Sequence, residues 1–337
     1  MARRDDAASP PPTPASAPAP APAHAPAGPA LAPVAAPATS RTTSRTTSRT
    51  GLGVALMVAT TAVFALQDGI SRHLAERHSV LQVVAIRYWA MAAFALAWAA
   101  RSEGLRAAAR SGQPWTQAGR GVLLAAEICV MVTAFVLLGL VESHAVFACY
   151  PLLVAALSGP VLGERVGPWR WGAIAVGFLG VLVILRPGTG ALQPAALVPL
   201  LAALMFALYG LLTRRVASTD RAATSFLWTG VVGALAMTPF GIWTWEPMAQ
   251  GDAIWMAVLC VTGASGHWLL IRTYEVAEAS AVQPFAYLQL VWASMLGVAL
   301  FGETVAPAVA AGAAIVVAAG VFTLWREGRA ARRARGA

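Results

Sequence analysis

Apolar runs of about 20 residues recur along this chain from Gly51 to Trp325, and no other feature constrains its fold as tightly. A run of that length crosses the hydrocarbon core of a bilayer. Each run is continuously apolar rather than alternating, so the spans are expected to be helices and not barrel strands. Ten are expected, roughly at 51–70, 81–100, 119–140, 143–162, 169–186, 194–213, 224–245, 253–273, 279–301 and 306–325. Only 12% of the residues are charged, against about 25% in an ordinary soluble domain. The reading is an all-α integral membrane protein whose first partner is the lipid bilayer.

The net charge is +9, and every basic side chain apart from histidine is Arg. A basic balance can mark a nucleic-acid partner. Here the arginines gather in short loops between spans, which is the positive-inside pattern, so no nucleic acid is expected. Arg101, Arg106, Arg110, Arg120, Arg214, Arg215, Arg221 and the tail from Arg326 to Arg335 fall on one side. Arg72, Arg77 and Arg186 fall on the other. Both termini are therefore expected in the cytoplasm. Trp98, Trp115, Trp169, Trp171, Trp243, Trp245, Trp255 and Trp325 lie near span ends, where an amphipathic ring meets the headgroups. Cys129, Cys149 and Cys260 all lie inside spans without a CxxC pair, so neither a disulfide nor a zinc site is expected, and no cofactor is implied.

Residues 1–50 differ. They are rich in Ala and Pro, then repeat SRTTSRTTSRT from Ser40 to Thr50. Such a segment buries no core and reads as a disordered cytoplasmic tail. A mis-assigned start codon accounts for it equally. Residues 327–337 form a second, basic tail.

The spans are duplicated. Glu142-Ser-His-Ala-Val matches Glu278-Ala-Ser-Ala-Val. In both copies an apolar span follows, then a Gly-Glu pair, a turn containing Pro, and another span. LGERVGPWRWG (162–172) is echoed by FGETVAPAVAAG (301–312). Each half, 51–188 and 194–326, holds five spans. Five is odd, so the halves have opposite orientations, an inverted repeat of the kind that builds transporters. The stretches PLLVAALSGPVLGERVGPWRWGAIAVGFLGVLVILRPG (151–188) and EASAVQPFAYLQLVWASMLGVALFGE (278–303) resemble the drug/metabolite transporter superfamily, specifically its ten-helix EamA branch. The resemblance implies two five-helix EamA units and carriage of a small metabolite across a bacterial inner membrane, by a monomer or a homodimer.

Charged and polar groups at lipid depth are functional candidates by default. Asp68 and Arg87 lie in the outer third of spans 1 and 2, and an ion pair between them is expected. It would gate the outer mouth or bind an anionic substrate group; the alternative is a strut between the two spans. Glu127 in span 3 and His267 in span 8 share the inner third. They suit a proton relay or a cationic substrate, against the alternatives of an interhelical hydrogen bond or an Arg neighbour that neutralises Glu127. In span 9, Gln283 and Tyr287 are four apart on one face, with Trp292 beyond. Gln289 faces elsewhere unless Pro284 kinks the helix. Span 4 has the parallel pair Tyr150-Pro151, with His144 earlier. These residues are expected to wall a substrate cavity, with packing as the alternative. Gly172, Gly180, Gly312 and Gly320 are expected at close helix contacts. Glu164 and Glu303 are expected in turns, each favouring the N-terminus of the helix that follows.

The expected function is secondary active transport of a small metabolite, such as an amino acid or a nucleobase- or vitamin-like compound. Alternating access would carry it, and Glu127 with His267 is the motive for proton coupling. An intramembrane enzyme would need a convergent nucleophile and base or paired Asp, and no GxSxG, HExxH or P-loop occurs. A passive channel would need a ring of like charges, which is also missing.

Overall fold

In the computed structural model, residues 40–102, 104–163, 167–185, 194–277 and 282–335 are described. The chain divides into two compact units, Met1–Arg41 and Thr42–Ala337, and the architecture below belongs to the second. The described residues of that unit are helical, without strands.

Helix α1 runs Ser40–Ala75, starting within the Ser/Arg/Thr repeat; α2 is Val80–Ser102 and the short α3 is Leu105–Ala109. Helix α4 runs Pro114–Phe147, α5 Tyr150–Leu162 and α6 Pro168–Leu185. After a single 3-10 turn come α7 (Leu197–Val216), α8 (Ala222–Trp243) and α9 (Gln250–Val276). A 3-10 segment, Gln283–Tyr287, leads into α10 (Leu288–Phe301), and α11 is Pro307–Arg335. Among the described residues nine helices are long and apolar enough to cross a membrane, and Tyr150–Leu162 is a shorter apolar tenth.

The starts and stops have local causes. Pro114, Pro168 and Pro307 open their helices, where a missing N–H costs nothing. Gly163 and Gly302 close α5 and α10 with φ of 74° and 64°, the left-handed cap that glycine takes without steric cost. The other half of the first Gly-Glu pair, Glu164, lies outside the described residues.

The expected third and fourth spans are not two simple helices. Helix α4 runs through both, across a reversal at Gly139, which has φ 84° and ψ 176°. The chain then leaves helix at Ala148–Cys149 before α5 begins. The ninth span is interrupted likewise by its 3-10 segment before α10. Spans 4 and 9 are thus both broken beside a proline, Pro151 and Pro284.

Equivalent spans of the two repeats pack on each other. The largest interhelical contacts include α2 with α8 and α6 with α11. At the second crossing, a Cβ on Gly180 would come within 2.8 Å of the Gly312 carbonyl, and one on Gly312 within 2.5 Å of the Gly180 carbonyl. Only glycines allow that approach. Gly320 is similarly filled by the Tyr287 side chain, whereas Gly172 faces open space, so the packing role does not extend to it. One core cluster joins Val141, Leu152, Ile174 and Val316 at this crossing; another joins Tyr88, Met91, Ala125 and Phe226 around α2 and α8. Leu235, Ile242, Val261 and Leu300 point outward, as a lipid-facing surface requires.

Candidate functional site

The two broken spans meet at a cavity. His144, Phe147, Ala148, Tyr150 and Pro151 line it from the first repeat. Ala286, Tyr287, Gln289 and Leu290 line it from the second, with Leu324 of α11. The breaks create it: leaving the α-helix at residues 148–149 and 283–287 turns side chains inward that a straight helix would scatter.

Asp68 of α1 supplies the negative charge behind this cavity. Its Oδ2 accepts a hydrogen bond from Gln289 Nε2 at 3.0 Å and lies 3.3 Å from His144 Nε2. The His144 contact has ion-pair distance but not hydrogen-bond alignment, so that nitrogen retains capacity for another partner. The His144 ring stacks on Phe135, with centroids 5.2 Å apart. The Tyr287 hydroxyl is buried without a hydrogen-bond partner among the described residues. A row of ring contacts runs from the cavity through Phe147, Tyr150 and Phe206 to Tyr209. A flat apolar wall, with a few polar groups holding spare hydrogen-bonding capacity, is the usual make-up of a small-molecule site.

The expected Asp68–Arg87 ion pair is not formed. Asp68 turns instead toward His144 and Gln289, because the interrupted ninth span brings Gln289 to face α1. Arg87 is buried on α2 beside Gly263, where a Cβ would sit 3.3 Å from Arg87 Nε and 3.5 Å from Gln67 Oε1. Glu127 is buried on α4 and interacts electrostatically with Asp68 and Arg87, but it makes neither an ion pair nor a hydrogen bond among the described residues. His267 does not meet Glu127. Its Nδ1 lies 2.9 Å from the Gly263 carbonyl and its ring packs edge-on against Phe64. The Trp292 indole nitrogen is buried without a partner among the described residues, away from the cavity lining. The Gln283 side chain lies outside the described residues. Of the expected wall residues, His144, Tyr150 and Tyr287 therefore line one cavity, and Asp68 backs it.

Several interactions escaped the sequence reading. Arg72 pairs with Glu303, whose carboxylate also accepts the Leu140 and Val141 N–H groups, each at 2.8 Å. Glu303 thus serves the helix that restarts after Gly139, not the helix that follows it in the chain. Arg120, read as a loop charge, is buried. Its guanidinium donates to Gln117 Oε1, Tyr209 Oη, Thr213 Oγ1 and the Ser225 carbonyl. Asp220 accepts from Gln117 Nε2 at 2.8 Å, from Gly112 N–H at 2.7 Å and from Ser111. Burial pushes the Asp220 carboxyl up, but hydrogen bonds from Gln117, Ser111, Gly112 and Thr219 outweigh it and hold its pKa below the usual value. Asp252 takes Arg77 Nη1 at 3.1 Å and His78 Nε2 at 3.0 Å. A further trace of the duplication lies in the first span of each repeat, where FALQDGISRHLA (64–75) aligns with FALYGLLTRRVA (206–217) without a gap. Among the described residues no group of three or more His, Cys, Asp and Glu is placed to hold a metal ion.

Comparison with known proteins gives a consistent picture. The model of the EamA-like transporter family matches residues 51–186 and again residues 193–325. A riboflavin transporter of Rhizobium johnstonii is 30% identical over 67% of this chain and 76% of its own length. An S-adenosylmethionine uptake transporter of Rickettsia prowazekii is 23% identical over 82% of this chain and 93% of its own. A solved crystal structure superposes with a TM-score of 0.56 at 18% identity, over 81% of this chain and 96% of that one; it shows likeness of fold.

Proposed function

This chain belongs to the EamA-like transporter family, and on that premise we propose that it moves a small metabolite with a flat heteroaromatic ring across a bacterial inner membrane by alternating access. That it is a multi-pass membrane transporter and not an enzyme follows from the family and from its named relatives. The observation that carries the ring reading is the cavity between the broken spans, where Phe147, Tyr150 and Tyr287 present aromatic surface. His144, Gln289 and the free Tyr287 hydroxyl would read polar atoms at the ring's edge. Riboflavin and S-adenosylmethionine, named for two relatives, both carry such a ring.

The arginine distribution supports cytoplasmic termini, which puts the α1–α2 loop outside and the α7–α8 loop inside. Asp68 and His144 sit at the cavity, and Glu127 lies within electrostatic reach of Asp68. Such titratable groups at membrane depth suit coupling of transport to protons. The test is uptake and efflux of a panel of flavins, nucleosides, S-adenosylmethionine and amino acids, in cells with and without the protein. A differential confined to ring-bearing compounds is expected. Transport of aliphatic amino acids alone would remove the ring reading, and no differential metabolite at all would remove the substrate reading.

A further inference from the structure

The match between the repeats extends beyond 64–75. Helix α2 starts at Val80 and α8 at Ala222, both with the same offset of 142 residues that relates Phe64 to Phe206. That register pairs Arg77 with Thr219 and His78 with Asp220. Each lies in the loop between the first and second spans of its repeat.

Each of these loops reaches into the other repeat and holds the start of its third span. Arg77 and His78 take the two oxygens of Asp252, at the third residue of α9. Asp220 takes Gln117 in the opening turns of α4, and Gln117 Oε1 in turn accepts from Arg120 Nε at 3.1 Å and Nη2 at 2.7 Å. Five spans separate the α1–α2 loop from the α7–α8 loop, an odd number, so the two clusters lie at opposite ends of the bundle. They are one device used twice with the charges exchanged. At the first end the acid is on the spanning helix and the cations are on the loop. At the second the acid is on the loop and the cation is on the helix. A shared physical reason places both acids: Asp252 sits in the first turn of α9, and Asp220 precedes α8 and accepts the Gly112 N–H just before α4. Helix N-termini favour negative charge.

We infer that Asp252–Arg77–His78 and Asp220–Gln117–Arg120 are the two mouth clamps of this transporter, which open in alternation. The inference rests on the alternating-access reading above. Each clamp bridges the two repeats, so a rocking of one repeat against the other that widens a mouth must break the clamp there. The Gln82 amide reinforces the first clamp, donating to the Glu246 carbonyl at 2.7 Å and accepting the Glu246 N–H at 3.1 Å. Both clamps are made in this structure.

The test uses spin-label pairs on the full chain in nanodiscs, one pair across each mouth. Exposed positions with room for a label are Glu76→Cys with Gly251→Cys at the first mouth, and Gly119→Cys with Ser218→Cys at the second. Asp252→Asn is expected to lengthen the first distance and leave the second short. Asp220→Asn is expected to do the reverse. Each substitution should shift the open-to-closed ratio of its own mouth roughly tenfold, and Asp252→Glu should keep the original distances. If Asp252→Asn does not fold, Arg77→Gln carries the same test. A response in the same direction at both mouths, or at neither, overturns the inference. No substrate enters the measurement, so its failure is distinct from a failure of the transport reading.

Discussion

Arg72 and Glu303, 231 residues apart in the chain, form an ion pair that ties the first span of one repeat to the last turn of the other. Glu303 does more than neutralise a charge. Its two oxygens take the first free N–H groups of the helix that restarts at Leu140, and Arg72 also stacks over the Phe301 ring at 4.1 Å. Two glycines make the room. A Cβ on Gly139 would come within 2.7 Å of the carboxylate, and one on Gly297 within 2.8 Å. Gly139 also holds a positive φ that other residues rarely adopt.

Glu303→Ala should therefore be among the most destabilising single changes in the protein. It leaves the mostly buried Arg72 guanidinium with only its half-exposed partner Glu76, 3.0 Å from Nε, and uncaps a helix at once. Losses of about 1 kcal/mol for a cap and a few kcal/mol for half of a buried ion pair set the scale. Glu303→Gln should cost less, because the amide oxygen still accepts one of the two N–H groups. Thermal unfolding in detergent should rank the proteins wild type, then Glu303→Gln, then Glu303→Ala. An unchanged midpoint for Glu303→Ala would mean the carboxylate carries no structural role.

The crossing of α6 and α11 yields a second prediction. Gly180→Val and Gly312→Val place methyl groups where backbone carbonyls already sit, so the two equivalent spans must separate. Overpacking of this kind costs about 1–3 kcal/mol. Gly172→Ala, on the same helix as Gly180 but facing open space, should be neutral. Parallel melting curves and expression levels of the three variants measure the contrast.

The Tyr287 hydroxyl separates stability from recognition. It has no hydrogen-bond partner among the described residues, so Tyr287→Phe removes an unpaired buried polar atom and should leave the melting midpoint unchanged or slightly raised. If the hydroxyl meets substrate, the same variant should raise KM several-fold at little cost in kcat. Gln289→Leu differs, because Gln289 is already bonded to Asp68; it should lower both transport and stability.

Asp220 gives a dependence on pH with a definite sign. Its folded pKa lies below its unfolded value of about 3.9, so its contribution is complete above that value. The contribution is lost as pH falls through the folded pKa. Asp220→Asn should therefore be less stable than wild type at neutral pH, and the difference should shrink as pH falls from the unfolded value through the folded pKa. Unfolding midpoints followed from pH 7 into the acid range, well below the unfolded value, test this. A difference that stays constant down to the lowest pH at which both proteins fold would contradict the depressed pKa.

What the sequence made legible and what it did not divide along a physical line. Hydropathy and length identified ten spans, because the bilayer imposes both on every helix that crosses it. The inverted duplication was readable at Glu142 and Glu278, and the wall residues His144, Tyr150 and Tyr287 followed from it. The partners of Asp68 did not. Gln289 reaches Asp68 only because the ninth span breaks at Gln283–Tyr287, and Pro284 permits such a break without stating its angle. The role of Glu303 was hidden for a related reason. The nearest helix N-terminus in the chain belongs to α11, but the one its carboxylate reaches belongs to the other repeat. Arg120 was assigned to a loop because arginine counting treats every interfacial guanidinium as solvated, whereas neutral acceptors bury this one.

Glu127 remains the sharpest test of proton coupling. It is buried at membrane depth without a hydrogen bond or close ion pair among the described residues, while Asp68 and Arg87 act on it electrostatically. An ionised carboxylate held so poorly is costly, so a proton or a cationic group should accompany it through part of the cycle. Glu127→Gln keeps the shape and removes the titration. In proteoliposomes with a pH gradient, wild type should accumulate substrate and Glu127→Gln should only equilibrate it. Exchange of labelled for unlabelled substrate without a gradient should survive the substitution, since it needs the cavity and the moving repeats but no net proton transfer. A Glu127→Gln protein that still concentrates substrate in response to the gradient would remove Glu127 from the coupling path.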